Sequence, residues 1–379
     1  DTLHDAVKPL VLMRDPETLE TRQYLYPCNV FHHFIIYNKN IFDEHGVPYP
    51  PEDLTWKKYI EIAQELTRFQ SENEEIPIVF GGADVPAEAC IWEKGGDMMN
   101  EDGTRCTLAE PEAVAGMQFY HDLLFKYRVE PTPTQKAGVS SQGGWGGGSY
   151  RNWFGEGKVA MLVGARWMLI QFRRFISEQR DAMESWKEEH PDEPYPGQKP
   201  VRLGACLFPR FEGGPRYVRF GARCVGINKM SPNREDALKF MQYLAGEKYS
   251  ELINLGADSK PANKKYVSLD QFRHPDWPGE EEDHEMSIKS IPYGRISPRS
   301  PFITNATITR YFRQAKDQII ASPDLTRDDI AGIMEKTARR VDRDIQRAIE
   351  RIPRLRRTYD SMLERGAEPI ALSLEDASS

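Results

Sequence analysis

The chain carries seven tryptophans, and the polar residues near them decide what chemistry they could serve. Glu88 and Asp97 flank Trp92, so a carboxylate pair beside an aromatic ring is available for acid and base work on a glycosidic bond. No distinctive motif surrounds that pair, and solvated carboxylates are the plainer reading of residues this abundant. His32 and His33 offer two imidazoles in tandem. No second ligand set is spaced to join them, so no metal site is expected. Residues 141–148 are Gly-rich but lack the Lys-Ser or Lys-Thr ending of a phosphate-binding loop, and no strand is apparent before them. They read as a loop presenting Trp145. The five cysteines, Cys28, Cys90, Cys106, Cys206 and Cys224, contain no Cys-x-x-Cys pair, which argues against a zinc or redox motif. Buried small apolar residues is their simplest role.

The elements that must position these residues follow from periodicity. The chain has 379 residues, 39% apolar and 28% charged, with net charge −8. That is ample for one large or two ordinary domains, and the acidic balance argues against nucleic-acid binding. The longest apolar stretch, 159–170, is interrupted by Arg166 and is far short of a membrane span. Thr55 is placed to cap a helix burying Trp56, Tyr59, Ala63 and Leu66. Residues 76–80 read as a strand stopped by Gly81-Gly82. Residues 100–103 read as a hairpin turn. Pro111 opens a helix, and Thr326 with Asp329 forms a capping box before a long one. Residues 204–208 and 225–228 read as strands, and 183–200 as a polar, proline-bearing surface insertion. Helices alternating with short buried strands define an α/β class.

Residues 34–42, Phe-Ile-Ile-Tyr-Asn-Lys-Asn-Ile-Phe, follow Tyr26-Pro27 and resemble the Tyr-Pro…Tyr-Asn-Lys…Phe segment of the extracellular solute-binding proteins of ABC sugar importers, the maltose-binding-protein-like family. Gly95-Gly96-Asp97 with Asp102-Gly103, the segment 154–161, Gly164-Ala165-Arg166-Trp167 and the segment 226–233 resemble further motifs of that family, in the same order. The resemblance covers roughly residues 24–264. It implies a periplasmic-binding-protein-like type II fold of two lobes joined by crossover strands, with the first lobe incomplete, because only about 25 residues precede the Tyr-Pro crossover. The lobes are expected as 1–28 with 226–296, the remnant of the N-terminal lobe, and 29–225 with 297–362, the C-terminal lobe. Residues 363–379 are expected as a tail or linker.

The implied function is binding of a mono- or oligosaccharide in an interlobe cleft and delivery to a membrane permease. No catalysis and no cofactor are implied. The implied form is a monomer outside the cytoplasmic membrane. The alternatives are a carbohydrate-active enzyme, or a fragment of a larger transport protein that binds nothing. A sugar offers C–H faces to aromatic rings and hydroxyls to planar polar groups. Trp167 matches the family's ligand-stacking Trp, with Trp92 and Trp145 as further aromatic candidates. Asn29, Phe31 and His32 lie on the first crossover and Arg223 on the second. Phe31 stands where the family has a polar or acidic group, so stacking is expected to replace a hydrogen bond. Arg166, beside Trp167, suggests a uronate-bearing sugar. The resemblance also implies that Cys28 and Cys224 lie near one another. If the first lobe is incomplete, the helix bearing Phe240, Met241 and Leu244 should expose an apolar stripe.

Overall fold

The computed structural model describes residues 2–14, 20–69, 79–137 and 148–370. Trp145 and most of the Gly-rich segment lie outside these residues, as do 76–78 of the expected strand and the end of the tail. The chain falls into two compact units.

The first unit comprises the N-terminal residues, Glu20–Val85 and Val129–Arg295. Its strands are β1 (Leu12–Arg14), β2 (Thr21–Gln23), β3 (Tyr26–His32), β4 (Phe34–Asn38), β5 (Phe80–Ala83), β6 (Val159–Gly164), β7 (Leu203–Cys206), β8 (Val218–Val225), β9 (Lys260–Pro261) and β10 (Gly294–Arg295). They form a small β1–β2 ribbon and two four-stranded sheets, ordered β10-β8-β3-β9 and β5-β6-β4-β7. β4 is buried at every residue. It is a central strand, antiparallel to both β6 and β7, so the unbroken apolar run Phe34-Ile35-Ile36 has two covered faces to fill. β3 and β4, which lie in different sheets, are joined through His33, whose N–H donates to the Arg219 carbonyl at 3.2 Å.

Two glycines set the spacing around β5. A Cβ on Gly81 would lie 1.8 Å from the Ala63 carbonyl oxygen, and one on Gly82 2.1 Å from the Tyr59 hydroxyl. The helix Trp56–Leu66, capped by Thr55 accepting from the Lys58 N–H at 3.3 Å, therefore lies directly on the strand backbone.

The second unit comprises Pro86–Arg128 and the residues from Ile296 onward. It is helical, built on Ala87–Glu93, Pro111–Phe125, Asn305–Ile319, Arg327–Arg351 and Pro353–Leu363. The Thr326–Asp329 capping box is formed. The expected hairpin near residue 100 is a single bridge, Met99 to Cys106, around Gly103 at φ +68°.

Three boundaries differ from the sequence expectation. The helix Leu169–Glu189 runs through the first third of the presumed insertion, because nothing before Pro191 breaks it. β7 begins at Leu203 and β8 ends at Val225. The second crossover strand therefore lies before residues 226–228 and shares only Val225 with the expected strand. Its pairing with β3 begins at Tyr26↔Val225, and Gly226 ends the pairing.

The helix Arg234–Leu244 exposes Leu238 and Phe240, the latter at 59%, and the next helix exposes Leu252 and Leu255. Leu244 is buried and Met241 half-buried, so the stripe is real but excludes its last residue. Cys224 pairs opposite Pro27, one residue from Cys28, where the register of β3 shifts. No disulfide joins any of the five cysteines.

Candidate functional site

Side chains alternate along a strand, so β3 presents two faces. Asn29, Phe31 and His33 share one with their β8 partners Arg223, Gly221 and Arg219. His32 is on the other, against Phe220. The Phe31 ring lies across the β8 backbone where a Cβ on Gly221 would come within 2.2 Å of it. It stacks on His33 with centroids 5.9 Å apart. His32 is fully buried, 4.8 Å from the Phe220 ring. Burial, with Lys260 nearby, holds its pKa well below the usual imidazole range. It is therefore a neutral core residue, not a ligand contact.

Asn29 and Arg223 come together as neighbours across the strand pair. Arg223 is ion-paired with Asp258, and the Asn29 amide is 3.4 Å from the same carboxylate. Asn29 is buried while the Arg223 side chain is 65% exposed. The pair offers a planar donor face at one end of the crossover.

Trp167 sits in the short turn Arg166–Met168 after β6, and this turn packs against β3. Trp167 is half-buried, with its inner edge on the core formed by Phe34, Leu162 and Phe172. The Arg151 guanidinium lies 4.7 Å from the centre of its ring, a cation–π contact that burial strengthens. Burial lowers the Arg151 pKa, and the charge of Asp84 opposes that shift. Asp84 directly follows β5 with φ +69°, a conformation Asp tolerates better than most residues. Neither Arg151 nor Asp84 stood out in the sequence. The signal for Asp84 was there, a carboxylate directly after Gly81-Gly82-Ala83. Arg151 had none, being one of many charged residues.

Arg166 is only 1% exposed. Its five N–H groups face five acceptors: His284 Nδ1 at 3.3 Å and the carbonyls of Ile253 (3.4 Å), Ser259 (2.7 Å), Asn254 (2.6 Å) and Phe272 (3.5 Å). The Phe272 ring lies 4.1 Å from the guanidinium carbon. Burial pulls its pKa down to about 9, with Glu280 opposing, and it stays charged at neutral pH. A guanidinium with every donor spent inside the protein cannot hold a uronate, so Arg166 is a structural clamp on the end of the helix Glu247–Leu255. The acidic-sugar expectation loses its basis.

Trp92 belongs to the other unit. It is 3% exposed and directs Nε1 at Asp97 Oδ1 and Ser297 Oγ, both at 3.2 Å. Asp97 Oδ1 also accepts from the Met98 N–H at 2.7 Å. The ring and the carboxylate are thus bound to each other inside their unit. Among the described residues no group of three or more His, Cys, Asp or Glu could hold a metal ion.

A cluster of charges stands at the start of the helix Glu281–Lys289. Glu282 meets Lys39 at 2.6 Å and accepts from the Ala205 N–H at 3.1 Å. Glu280 is gripped by both arms of Arg173 at 2.7 Å. Asp283 is fully buried and neither carboxylate oxygen has a hydrogen-bond partner among the described residues. Burial, then Glu280 and Glu282, push its pKa well above the usual carboxylate range, against Lys39 and Arg166. The folded protein therefore holds this proton more tightly than the unfolded chain does. The resulting stability is complete below the unfolded aspartate range and is lost as pH rises through the raised folded value. Asp283→Asn should stabilise the protein at neutral pH by about 1–4 kcal/mol, and the gain should shrink towards zero near pH 3–4. Thermal unfolding across pH checks this. A gain that does not depend on pH would show that ionisation of Asp283 is not the cause.

Residues 4–251 match the family described as bacterial extracellular solute-binding protein. The chain belongs to that family. Its curated relatives include a binding protein of Brucella abortus, 23% identical over 261 residues, which are 68% of this chain and 55% of that protein. Another is an arabinooligosaccharide-binding protein of Halalkalibacterium halodurans, 23% identical over 285 residues, 73% of this chain and 54% of that one. The chain thus spans about half the length of the curated relatives it matches. Among solved structures, an ABC substrate-binding protein of Listeria monocytogenes in complex with cycloalternan superposes with TM-score 0.65 at 19% identity, covering 89% of this chain and 76% of that one. A cyclic α-maltosyl-1,6-maltose binding protein of Arthrobacter globiformis gives 0.60 at 15%, covering 90% and 76%. These likenesses establish the α/β fold of the type II periplasmic-binding-protein class. Among the described residues no helix is long and apolar enough to cross a membrane.

Proposed function

We propose that this solute-binding protein binds a neutral oligosaccharide, with Trp167 and Phe31 as its apolar platform. Asp84 and Arg223 supply the polar contacts, with Arg151 behind the Trp167 ring and the buried Asn29 beside Arg223 as supports. The observation that carries the reading is Trp167 itself. It is half-buried and anchored at its inner edge, and it sits in a turn packed against the strand that bears Phe31 and Asn29. An aromatic ring already fixed in the protein loses little entropy on stacking against a sugar face. The relatives described as binding arabinooligosaccharide, cycloalternan and a cyclic maltosyl-maltose support the ligand class. In this reading the protein acts as a monomer outside the cytoplasmic membrane. It closes about the paired strands β3 and β8 without turning the sugar over, and it hands the sugar to an ABC permease. The two-lobe division through those strands belongs to the same proposal.

Titration with arabino- and malto-oligosaccharides, followed by tryptophan fluorescence and thermal shift, tests it. Trp167→Ala should weaken binding by at least about tenfold, a loss typical of a central aromatic anchor, with little loss of folding stability. Equal affinity in the variant would place the site elsewhere. Release of shorter sugars would make the protein an enzyme.

A further inference from the structure

The helix Arg327–Arg351 is two-sided. Ile330, Met334, Ala338, Val341, Ile345 and Ile349 are buried along one side. Along the other, Lys336, Arg339, Arg340, Arg343, Arg347 and Arg351 are all exposed. Lys336, Arg340, Arg343, Arg347 and Arg351 recur at three- and four-residue spacing, one face of a helix, over about 22 Å. From residue 336 to residue 357 there are nine cations and three carboxylates, in a chain whose net charge is −8. All three carboxylates are engaged, Glu350 by the Gln346 side-chain amide at 2.9 Å. Asp342 is buried and accepts from the Cys106 N–H at 2.7 Å, and Asp344 accepts from the Tyr311 hydroxyl at 2.7 Å. Arg339 pairs with Glu335 at 2.6 Å and Arg347 approaches Asp344 at 3.8 Å. Lys336, Arg343 and Arg351 have no ion-pair partner among the described residues.

We propose that this face docks on a bilayer surface rich in anionic phospholipid headgroups. Charge complementarity selects the occupant. The row is narrow and nearly straight, and Ile352, 46% exposed where the helix breaks before Pro353, is its one large apolar side chain. A stable protein partner would need an apolar centre, which the row lacks. A layer of phosphates needs only spaced cations, and guanidinium groups match phosphate oxygens two at a time. The acidic remainder of the chain would favour turning this face towards a negative surface. The inference is independent of which sugar is bound.

Co-sedimentation of the intact protein tests it, using vesicles of phosphatidylcholine alone or with about one third phosphatidylglycerol. The expected result is binding that requires phosphatidylglycerol and falls at least tenfold between about 50 mM and about 300 mM salt. Arg343→Glu/Arg347→Glu/Arg351→Glu should lose at least about tenfold in vesicle affinity, while the triple Lys variant stays within about threefold of wild type. The three side chains are exposed, so thermal unfolding should be unchanged. If the Glu variant does not fold, Arg343→Gln/Arg351→Gln gives the same reading at about one third of the charge change. Binding no better than to phosphatidylcholine alone, an undiminished Glu variant, or equal affinity for soluble polyglutamate would each overturn the proposal. The last of these would indicate an acidic protein partner.

Discussion

Arg166→Leu should destabilise the protein by about 3–5 kcal/mol, the range for removing one partner from a buried ionic network. The guanidinium serves five acceptors at once. Two of them, the Ile253 and Asn254 carbonyls, lie in the last turn of the helix Glu247–Leu255, where carbonyls lack intrahelical donors. The Asp258 and Ala257 N–H groups also reach these two carbonyls, at 3.0 and 3.3 Å, so leucine takes one of their donors and removes the 2.7 Å donor of the Ser259 carbonyl as well. Each buried polar group left unpaired costs about 1–3 kcal/mol. Arg166→Lys should recover only part of the loss, since an ammonium has three donors and no planar fork. Thermal or urea unfolding reads the effect directly. Sugar affinity should fall as well, because Arg166 and Trp167 share one turn, but the two effects separate in Trp167→Ala, which should lose binding and keep stability. An Arg166→Leu protein as stable as wild type would mean that solvent reaches these carbonyls.

Gly81→Ala should cost at least about 3 kcal/mol, at the upper end of overpacking penalties, and should lower the unfolding midpoint by roughly 6–12 °C. The added methyl would sit 1.8 Å from the Ala63 carbonyl oxygen and 2.5 Å from the Ala63 Cα. Both are backbone atoms in a helix and cannot swing away as a side-chain tip could. The Gly81 N–H also donates to the Thr67 hydroxyl at 3.2 Å, so the strand cannot retreat without losing that bond. A substitution this small should therefore shift the whole helix Trp56–Leu66. Through β5 it should also displace Asp84, and ligand affinity should fall with stability. Gly332→Ala, at a position with open space around it, is the matched control and should be neutral or stabilising.

Local signals were reliable wherever a residue's role depends on its own neighbours. The Thr55 cap, the Thr326–Asp329 box and the Pro111 helix start all appear where their sequences place them, because capping involves groups three residues apart. The buried strand β4 was readable from its apolar run. The order of the crossover motifs matched the family to which the chain belongs. Boundaries that depend on partners were less legible. β8 starts well before its expected position, since its extent is decided by pairing with β3, and the helix Leu169–Glu189 continues through residues whose polarity alone suggested a loop.

The candidate site divides the same way. Residue types, their order and the presence of Trp167 after an apolar strand were properties of the sequence itself. Whether a given arginine faces a ligand was not, because a guanidinium reaches several ångströms and its partners lie far along the chain. Arg166 finds its acceptors about 90 to 120 residues away, Arg223 finds Asp258, and Arg151 finds Trp167 and Asp84. Tertiary structure alone sorts three chemically identical side chains into a buried clamp, an exposed ion pair and a cation–π support. It also buries His32 fully and leaves Phe31 only half-buried, because the strand pleat sends neighbours to opposite faces and long-range packing decides which face is covered.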